Sequence, residues 1–193
     1  MKIVIINYGA GNIQSIKFAI ERLGYEAILS DNPAEIEAAD KVIFPGVGEA
    51  SSAMAKLKES GLDKLIPHLK QPVLGICLGM QLMCKSTEEG NTEGLGIFDV
   101  AIKRFTNTVK VPQIGWNQIT NYKSSLFDGV KDQDFIYLVH SFYAEVTADT
   151  ICTTTYGIEY ATGLQKANFY GLQFHPEKSS TVGEVILKNF LEI

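Results

Sequence analysis

The stretch Gln71-Pro72-Val73-Leu74-Gly75-Ile76-Cys77-Leu78-Gly79-Met80-Gln81 reads as a short apolar strand that turns at once into a helix. Its Gly-x-Cys-x-Gly pattern is that of a nucleophile elbow with sulfur in place of the serine oxygen. Such a turn brings backbone segments close together, and side chains at positions 75 and 79 would obstruct it. It also places the thiol at a helix N-terminus, which favours the thiolate. A buried core cysteine beside a tight turn is the alternative, and the flanking glycines favour the nucleophile.

Length and composition indicate one globular domain, which we expect to span residues 1–193. The chain is 46% hydrophobic and 20% charged, enough for a full core. Its net charge of −5 gives no electrostatic basis for binding nucleic acid or an anionic membrane. The N-terminal segment does not resemble a secretory signal, and no apolar run approaches a membrane span. Three cysteines cannot all pair, so we expect a cytoplasmic protein.

Strand and helix patterns alternate through the first half. Apolar runs predict strands at 2–7, 26–29, 41–44 and 73–76, and amphipathic patterns predict helices at 13–23, 33–39, 49–59, 62–69 and after Cys77. This alternation predicts an α/β fold with a mostly parallel sheet and helices on both faces.

The second half predicts a smaller, more antiparallel region. Short strands are expected at 96–105, 119–121, 135–139, 144–146, 151–156 and 161–166, and a closing helix at 181–191. A last apolar strand at 169–174 delivers His175-Pro176-Glu177 at its carboxyl end. Because ligands in open α/β sheets bind beyond the carboxyl ends of strands, the candidate elements are the Gly46 loop, Cys77 and His175.

A thiol nucleophile needs a base that takes its proton and later returns it to a leaving amine. His175 is the candidate, and Glu177 is spaced to fix its tautomer and support the imidazolium. On an extended segment residues two apart project to the same side, and the intervening proline limits the backbone. A surface or capping role is the alternative for His175. His140 is a rival base without a neighbouring carboxylate, and His68 lies in a polar helix end.

The Gly46-Val47-Gly48 loop follows the strand at 41–44. Together with the N–H of Leu78, its N–H groups are candidates for an oxyanion hole. An ordinary turn is the alternative, whereas a phosphate cradle would need a lysine–hydroxyl pair that is absent. No set of His, Cys or carboxylate residues has ligand spacing, so we expect neither metal nor cofactor.

Three motifs, FPGVG (44–48), GICLGMQ (75–81) and QFHPEKS (173–179), resemble class I (triad) glutamine amidotransferases over the whole chain. The segments YGAGN (8–12), VPQIGWN (111–117) and YLVHS (137–141) resemble, within that superfamily, the family of glutamine amidotransferase subunits of imidazole glycerol phosphate synthase. The resemblance implies a flavodoxin-like class I glutamine amidotransferase fold. Glutamine would be hydrolysed through a thioester on Cys77, with His175 as acid and base and Glu177 orienting it.

The resemblance also implies roles for other residues. Gln81 and Glu89 match positions that hold the glutamine substrate, and Ser141 and Phe142 match a segment that meets it largely through backbone. Ammonia would pass to a (β/α)₈-barrel cyclase subunit in a heterodimer. There it would enter the synthesis of imidazole glycerol phosphate and AICAR, in histidine biosynthesis.

Four residues match partner-interface positions of that family: Asn12, Trp116, Tyr137 and Lys178. From the residues alone, the two aromatics could equally lie in the core, and the lysine could be a solvated surface charge. Gln113 stands where family members often carry histidine, and Asn7 stands where aspartate is common.

Three other functions remain open on the sequence. The first is a paralogous amidotransferase subunit that feeds ammonia to a different acceptor, as in surface-sugar biosynthesis. A catalytically silent regulatory or binding subunit is the second, and the intact triad argues against it. The third is a stand-alone cysteine peptidase, for which no extended peptide groove can be read.

Overall fold

The structure, a computed structural model, describes residues 1–9, 13–131 and 133–193. Its helices are α1 (Ile13–Arg22), α2 (Pro33–Glu37), α3 (Ala50–Ser60), α4 (Leu62–Leu65), α5 (Leu78–Met83) and α6 (Ser180–Glu192). Its strands are β1 (Ile3–Ile6), β2 (Ala27–Ser30), β3 (Lys41–Phe44), β4 (Val73–Ile76), β5 (Cys84–Thr87), β6 (Thr92–Glu93), β7 (Phe98–Arg104), β8 (Gln113–Gln118), β9 (Phe135–His140), β10 (Phe142–Ala144), β11 (Thr150–Tyr156), β12 (Ile158–Lys166) and β13 (Phe169–Leu172).

Eleven strands of these ranges form one sheet in the order β2–β1–β3–β4–β13–β12–β10–β7–β5–β6, with β11 pairing on β12. The strands from β2 to β13 run parallel. The strands β12, β10 and β7 then continue the same sheet in antiparallel pairs. The strands β8 and β9 form a separate antiparallel pair. The predicted α/β class is confirmed, and the antiparallel region extends the central sheet.

Two apolar layers sandwich the parallel strands. On β1, Val4 and Ile6 point into the layer that contains α2 to α5, whereas Ile3 and Ile5 point into the layer with α1 and α6. This division follows from the two-residue period of a strand, and it explains why central strands read as continuous apolar runs. Helices on both faces leave the carboxyl ends of β3, β4 and β13 open at one edge.

The sequence patterns misplaced one strand and missed others. Residues 119–121 were expected as a strand, but Thr120 makes only an isolated bridge to Thr153. The strand lies just before this range, as β8. Exposed Ile114 and Trp116 on β8 obscure its alternation. The strand β5 follows α5 without a break, so its residues read as more helix. Within the described ranges, no helix is long and apolar enough to cross a membrane.

Candidate active site

A cavity of about 360 Å³ opens at the carboxyl ends of β3, β4 and β13. It is lined by residues from several segments of the chain: Val47, Gly48, Cys77, Leu78, Gln81, Glu89, Pro112, Val139, His140, Ser141, Phe142, His175 and Lys178. Most of these residues were singled out from the sequence, and they therefore lie around one space. Three hydrogen-bonded groups of the cavity and its walls decide what it can do chemically.

Cys77 occupies a sharp turn between β4 and α5. Its φ of 54° and ψ of −111° lie in a region that L-residues seldom adopt, so the turn holds local strain. Helix α5 lies directly on the sheet. It comes so close that a Cβ on Gly79 would collide with the carbonyl oxygen of Phe44. A Cβ on Gly75 would lie 2.6 Å from the Met83 sulfur and 2.9 Å from the Met80 nitrogen. Both glycines are required by close approach, and the turn presents sulfur to the cavity.

His175 reaches the cavity from the segment that follows β13. Parallel pairing of β13 with β4 matches Leu172 with Ile76, one residue before the cysteine. Two hydrogen bonds fix the segment. The His175 N–H donates to the Tyr137 carbonyl (3.0 Å), and the Ser179 hydroxyl donates to the His175 carbonyl (2.7 Å). The imidazole Nδ1 lies 2.8 Å from Oε1 of Glu177, whose side chain is only 1% exposed.

The charge of His175 is set by its partners. Burial by itself disfavours the imidazolium, but the hydrogen bonds and charges of Cys77 and Glu177 outweigh it and raise the pKa of His175 to about 10. Oε2 of Glu177 is buried and has no hydrogen-bond partner among the described residues. The only hydrogen bond of the Glu177 side chain in those ranges is therefore the one to His175, so no donor competes for its charge. A protonated imidazole beside sulfur is suited to deliver a proton to a leaving nitrogen.

His140 lines the same cavity in a different state. Burial lowers its pKa to about 4, against the hydrogen bond to the Phe142 carbonyl, so the ring is neutral. Nδ1 lies 2.7 Å from that carbonyl and carries the proton, because a carbonyl can only accept. Nε2 lies 3.2 Å from the Tyr160 hydroxyl, which donates to Oε1 of Gln113 over 2.9 Å.

Gln81 and Gln173 connect the Phe142 carbonyl with the Cys77 sulfur through hydrogen bonds. Nε2 of Gln81 donates to Oε1 of Gln173 (2.8 Å) and to the Phe142 carbonyl (3.2 Å). Nε2 of Gln173 lies 3.8 Å from the Cys77 sulfur. Both amide protons of Gln81 are thus used within the protein. The Phe142 carbonyl accepts from Gln81 and from His140, which fills both of its lone pairs.

The glycine loop after β3 lies against the N-terminus of α5. A Cβ on Gly46 would lie 2.8 Å from the Gly79 nitrogen and 2.9 Å from the Leu78 Cβ. Gly46 itself is packed behind the cavity, whereas Val47 and Leu78 line it. The buried Tyr8 hydroxyl donates to the Pro45 carbonyl over 3.0 Å and so anchors the start of the loop.

Glu89 supplies a carboxylate to the cavity. Its Oε2 accepts the Ala50 N–H over 3.0 Å at the start of α3. Burial is the main reason that the pKa of Glu89 is raised, and the Glu49 charge adds to it, while the Ala50 N–H acts in the opposite direction. Within the described ranges, no group of three or more His, Cys, Asp or Glu side chains is arranged to hold a metal ion.

The four residues expected at a partner interface have different locations. Trp116 is 53% exposed on β8 and meets the half-buried Tyr137 of β9 edge to face, with ring centroids 5.9 Å apart. Trp116 is therefore not a core residue. Exposed Lys178 stands at the rim of the cavity. Asn12 lies outside the described residues.

Two residues of this region were not assigned from the sequence. Gln173 lies within the QFHPEKS segment, and its position two residues before His175 puts both on one side of the chain. Tyr8 falls in a loop, and its contact with the residue 45 carbonyl spans 37 positions, which no local pattern reveals.

Comparison with known proteins adds independent evidence. The sequence model of the family Glutamine amidotransferase class-I matches residues 4–193. The Imidazole glycerol phosphate synthase subunit HisH of Bacteroides fragilis (strain YCH46) is 54% identical over 196 residues, covering 100% of both chains. The protein of the same name from Yersinia pseudotuberculosis serotype I (strain IP32953) is 43% identical over 196 residues, also with 100% of both chains covered.

Solved structures share the fold at low identity. One described as a glutamine amidotransferase matches with a TM-score of 0.76 at 17% identity, covering 98% of this chain and 97% of that one. PurLQS from Thermotoga maritima matches with a TM-score of 0.75 at 15% identity, covering 99% and 97%. At these identities the likeness concerns the fold alone.

Proposed function

The chain belongs to the class-I glutamine amidotransferases, and from that premise we propose that it is the glutaminase subunit of an imidazole glycerol phosphate synthase. It hydrolyses glutamine to glutamate and ammonia for histidine biosynthesis. One observation carries the chemistry: a strained cysteine and a histidine of raised pKa line one cavity, and a buried carboxylate holds the histidine from behind.

In the first half of the reaction, the Cys77 thiolate attacks the side-chain amide carbon of glutamine and forms a C–S bond. The carbonyl oxygen becomes an oxyanion, which the backbone N–H groups of Val47 and Leu78 stabilise, since both residues line the cavity and Gly46 is packed behind it. His175 gives its proton to the amide nitrogen, the C–N bond breaks, and ammonia leaves a thioester behind.

In the second half, water replaces the sulfur. Neutral His175 takes a proton from the water as its oxygen attacks the thioester carbon, and the C–S bond then breaks. Glutamate leaves and Cys77 returns as the thiolate beside a protonated His175. Glu177 holds Nδ1–H throughout, so that Nε2 is the nitrogen that exchanges protons.

The polar groups of the cavity suit a free amino acid. Glu89 offers a carboxylate for the α-ammonium group of glutamine. Gln81 has both amide protons engaged, so its Oε1 is the atom left to accept from the substrate. Because the Phe142 carbonyl already accepts two hydrogen bonds, contacts from the 141–142 segment come from its N–H groups and the Ser141 hydroxyl.

The ammonia is consumed by a second protein. The named relatives are subunits of a synthase, and we propose a (β/α)₈-barrel cyclase as the partner in a heterodimer. Exposed Trp116, its neighbour Tyr137 and Lys178 at the cavity rim are the described residues proposed to meet it. Asn12, which lies outside the described residues, is proposed as a further contact from the sequence resemblance alone.

The test uses one preparation of the complex with a (β/α)₈ cyclase from the same organism. Cys77→Ala should abolish glutamine-driven formation of imidazole glycerol phosphate and leave ammonia-driven formation nearly intact, because the second active site is on the other chain. Cys152→Ala is the matched control, since its sulfur is buried in the core beside Thr162 and does not line the cavity. Substantial glutaminase activity in Cys77→Ala would refute the nucleophile, and a complex that produces no imidazole glycerol phosphate from either nitrogen source would refute the pathway.

A further inference from the structure

The Cys77 sulfur has two side-chain donors on one segment of chain. Gln173 and His175 are two residues apart after β13, so both project to the same side of the extended backbone. The residues between and before them, Phe174 and Leu172, point into the opposite apolar layer. Gln173 is 0% exposed, which leaves its amide with no access to solvent.

The hydrogen bonds of Gln173 allow only one orientation of its amide. Gln81 donates one proton to Oε1 of Gln173 and the other to the Phe142 carbonyl, so the Gln173 oxygen must face Gln81. Its NH₂ group then faces sulfur, 3.8 Å away. As a thiol, the sulfur can donate to the Val139 carbonyl at 3.8 Å, but as a thiolate it can only accept.

From this geometry we propose that Gln173 is a positioning residue, whose amide, held by Gln81, donates a hydrogen bond to the Cys77 thiolate and keeps it aimed into the cavity. The role rests on the proposed function of Cys77 as nucleophile. A donor that meets only the charged form of a group favours that form. Gln81 therefore serves the sulfur as well as the cavity, because it fixes which way the Gln173 amide points.

The experiment measures the rate at which iodoacetamide alkylates Cys77 in the full-length chain as a function of pH, with the modified peptide identified by mass spectrometry. Gln173→Met keeps the length of the side chain and removes the donor. We expect the half-maximal pH of alkylation to rise by about one unit. Glutamine turnover in the complex should fall roughly tenfold in kcat at neutral pH, since fewer sulfurs are thiolates.

Thr154→Val is the matched control. It removes a buried hydrogen bond to Thr162 without touching the cavity, so its alkylation profile should match that of the wild type. Cys77→Ala gives the background from Cys84 and Cys152, both of which are fully buried.

A folded Gln173→Met variant with an unchanged profile would overturn the proposal. If that variant does not fold, Gln173→Asn replaces it, because an amide one methylene shorter cannot reach both Gln81 and sulfur. The same upward shift is expected there, and its absence overturns the proposal equally. A chain that shows the shift but hydrolyses no glutamine in the complex would support Gln173 and refute the proposed function.

Discussion

Two histidines line the cavity with nearly equal exposure, 5% for His175 and 6% for His140, and their pKa values move in opposite directions. His175 has a carboxylate on one nitrogen and sulfur nearby, so its pKa rises to about 10. His140 has a carbonyl on one nitrogen and a hydroxyl on the other, so burial dominates and its pKa falls to about 4.

The difference shows that burial alone does not decide the charge of a histidine. Desolvation acts against the imidazolium in both sites, and only charged partners reverse it. One cavity therefore holds a protonated imidazole and a neutral ring that holds a backbone carbonyl in place. The neutral ring holds the Phe142 carbonyl through a hydrogen bond. The same carbonyl accepts from Gln81, which connects it to the side of the cavity where the sulfur lies.

Replacing each histidine in turn is expected to give the largest difference in glutamine-dependent turnover. A single positioned acid–base group contributes roughly 10²–10⁴-fold. We expect His175→Ala to lose at least that much glutamine-dependent turnover in the complex while still co-eluting with the cyclase. His140→Ala should lose less than His175→Ala, because its ring exchanges no proton with the substrate. If His140→Ala were the more damaging change in a folded protein, the base would have to be reassigned.

The pH dependence of stability sharpens the comparison. An unfolded histidine titrates near pH 6.5. Between about pH 4 and 6.5 the unfolded state binds the proton that buried His140 refuses, so stability falls as pH drops through that window. For His175 the folded state holds the extra proton, so its contribution is complete below about pH 6.5 and is lost as pH rises towards 10. Each slope approaches about 1.4 kcal/mol per pH unit.

Chemical denaturation at a series of pH values measures both slopes. His140→Gln should flatten the acidic limb, and His175→Gln should flatten the alkaline limb. The two variants serve as controls for each other, since each leaves the other histidine in place. If both variants flattened the same limb, the opposite charge states of the two rings would be wrong.

Tyr160→Phe gives the smallest expected effect. It leaves the His140 Nε2 and the Gln113 amide without the hydroxyl that joins them, at a cost of about 1–3 kcal/mol in the free energy of unfolding. We expect the KM for glutamine to rise a few-fold with little change in kcat, because the Phe142 segment loses support while His175 is untouched. Tyr156→Phe, which loses only a bond to the Lys110 carbonyl, is the control. A fall in kcat with unchanged KM would place Tyr160 in the chemistry.

The sequence was informative where one local pattern determined one structure. The glycines around Cys77 predicted the sharp turn, since no side chain fits where α5 meets the sheet. The contact of His175 with Glu177 was predicted, but from an extended segment, whereas the structure makes it through a 3₁₀ turn at Pro176–Lys178. Continuous apolar runs predicted the parallel strands, since both faces of those strands are buried.

Long-range partners set the remainder of the site. Gln81 and Gln173 are 92 positions apart, and neither residue carries a local sign of the other. The His140 ring meets the hydroxyl of Tyr160, which lies on β12, twenty positions away. The exposed aromatic residue on β8 interrupts the alternation that marks a strand. The prediction of a strand at residues 119–121 was therefore wrong.

The parallel pairing of β4 with β13 also fixes the position of two distant segments of the chain relative to each other. It sets the sulfur opposite Gln173 and His175 because Leu172 is paired with Ile76. A step of one residue along a strand is about 3.3 Å and turns every side chain to the opposite face. Deletion of one residue within 169–172 would leave Cys77, Gln173 and His175 in the sequence. With the pairing upstream of the deletion kept, Gln173 and His175 would turn away from the sulfur together, although every motif that contains them would still be present.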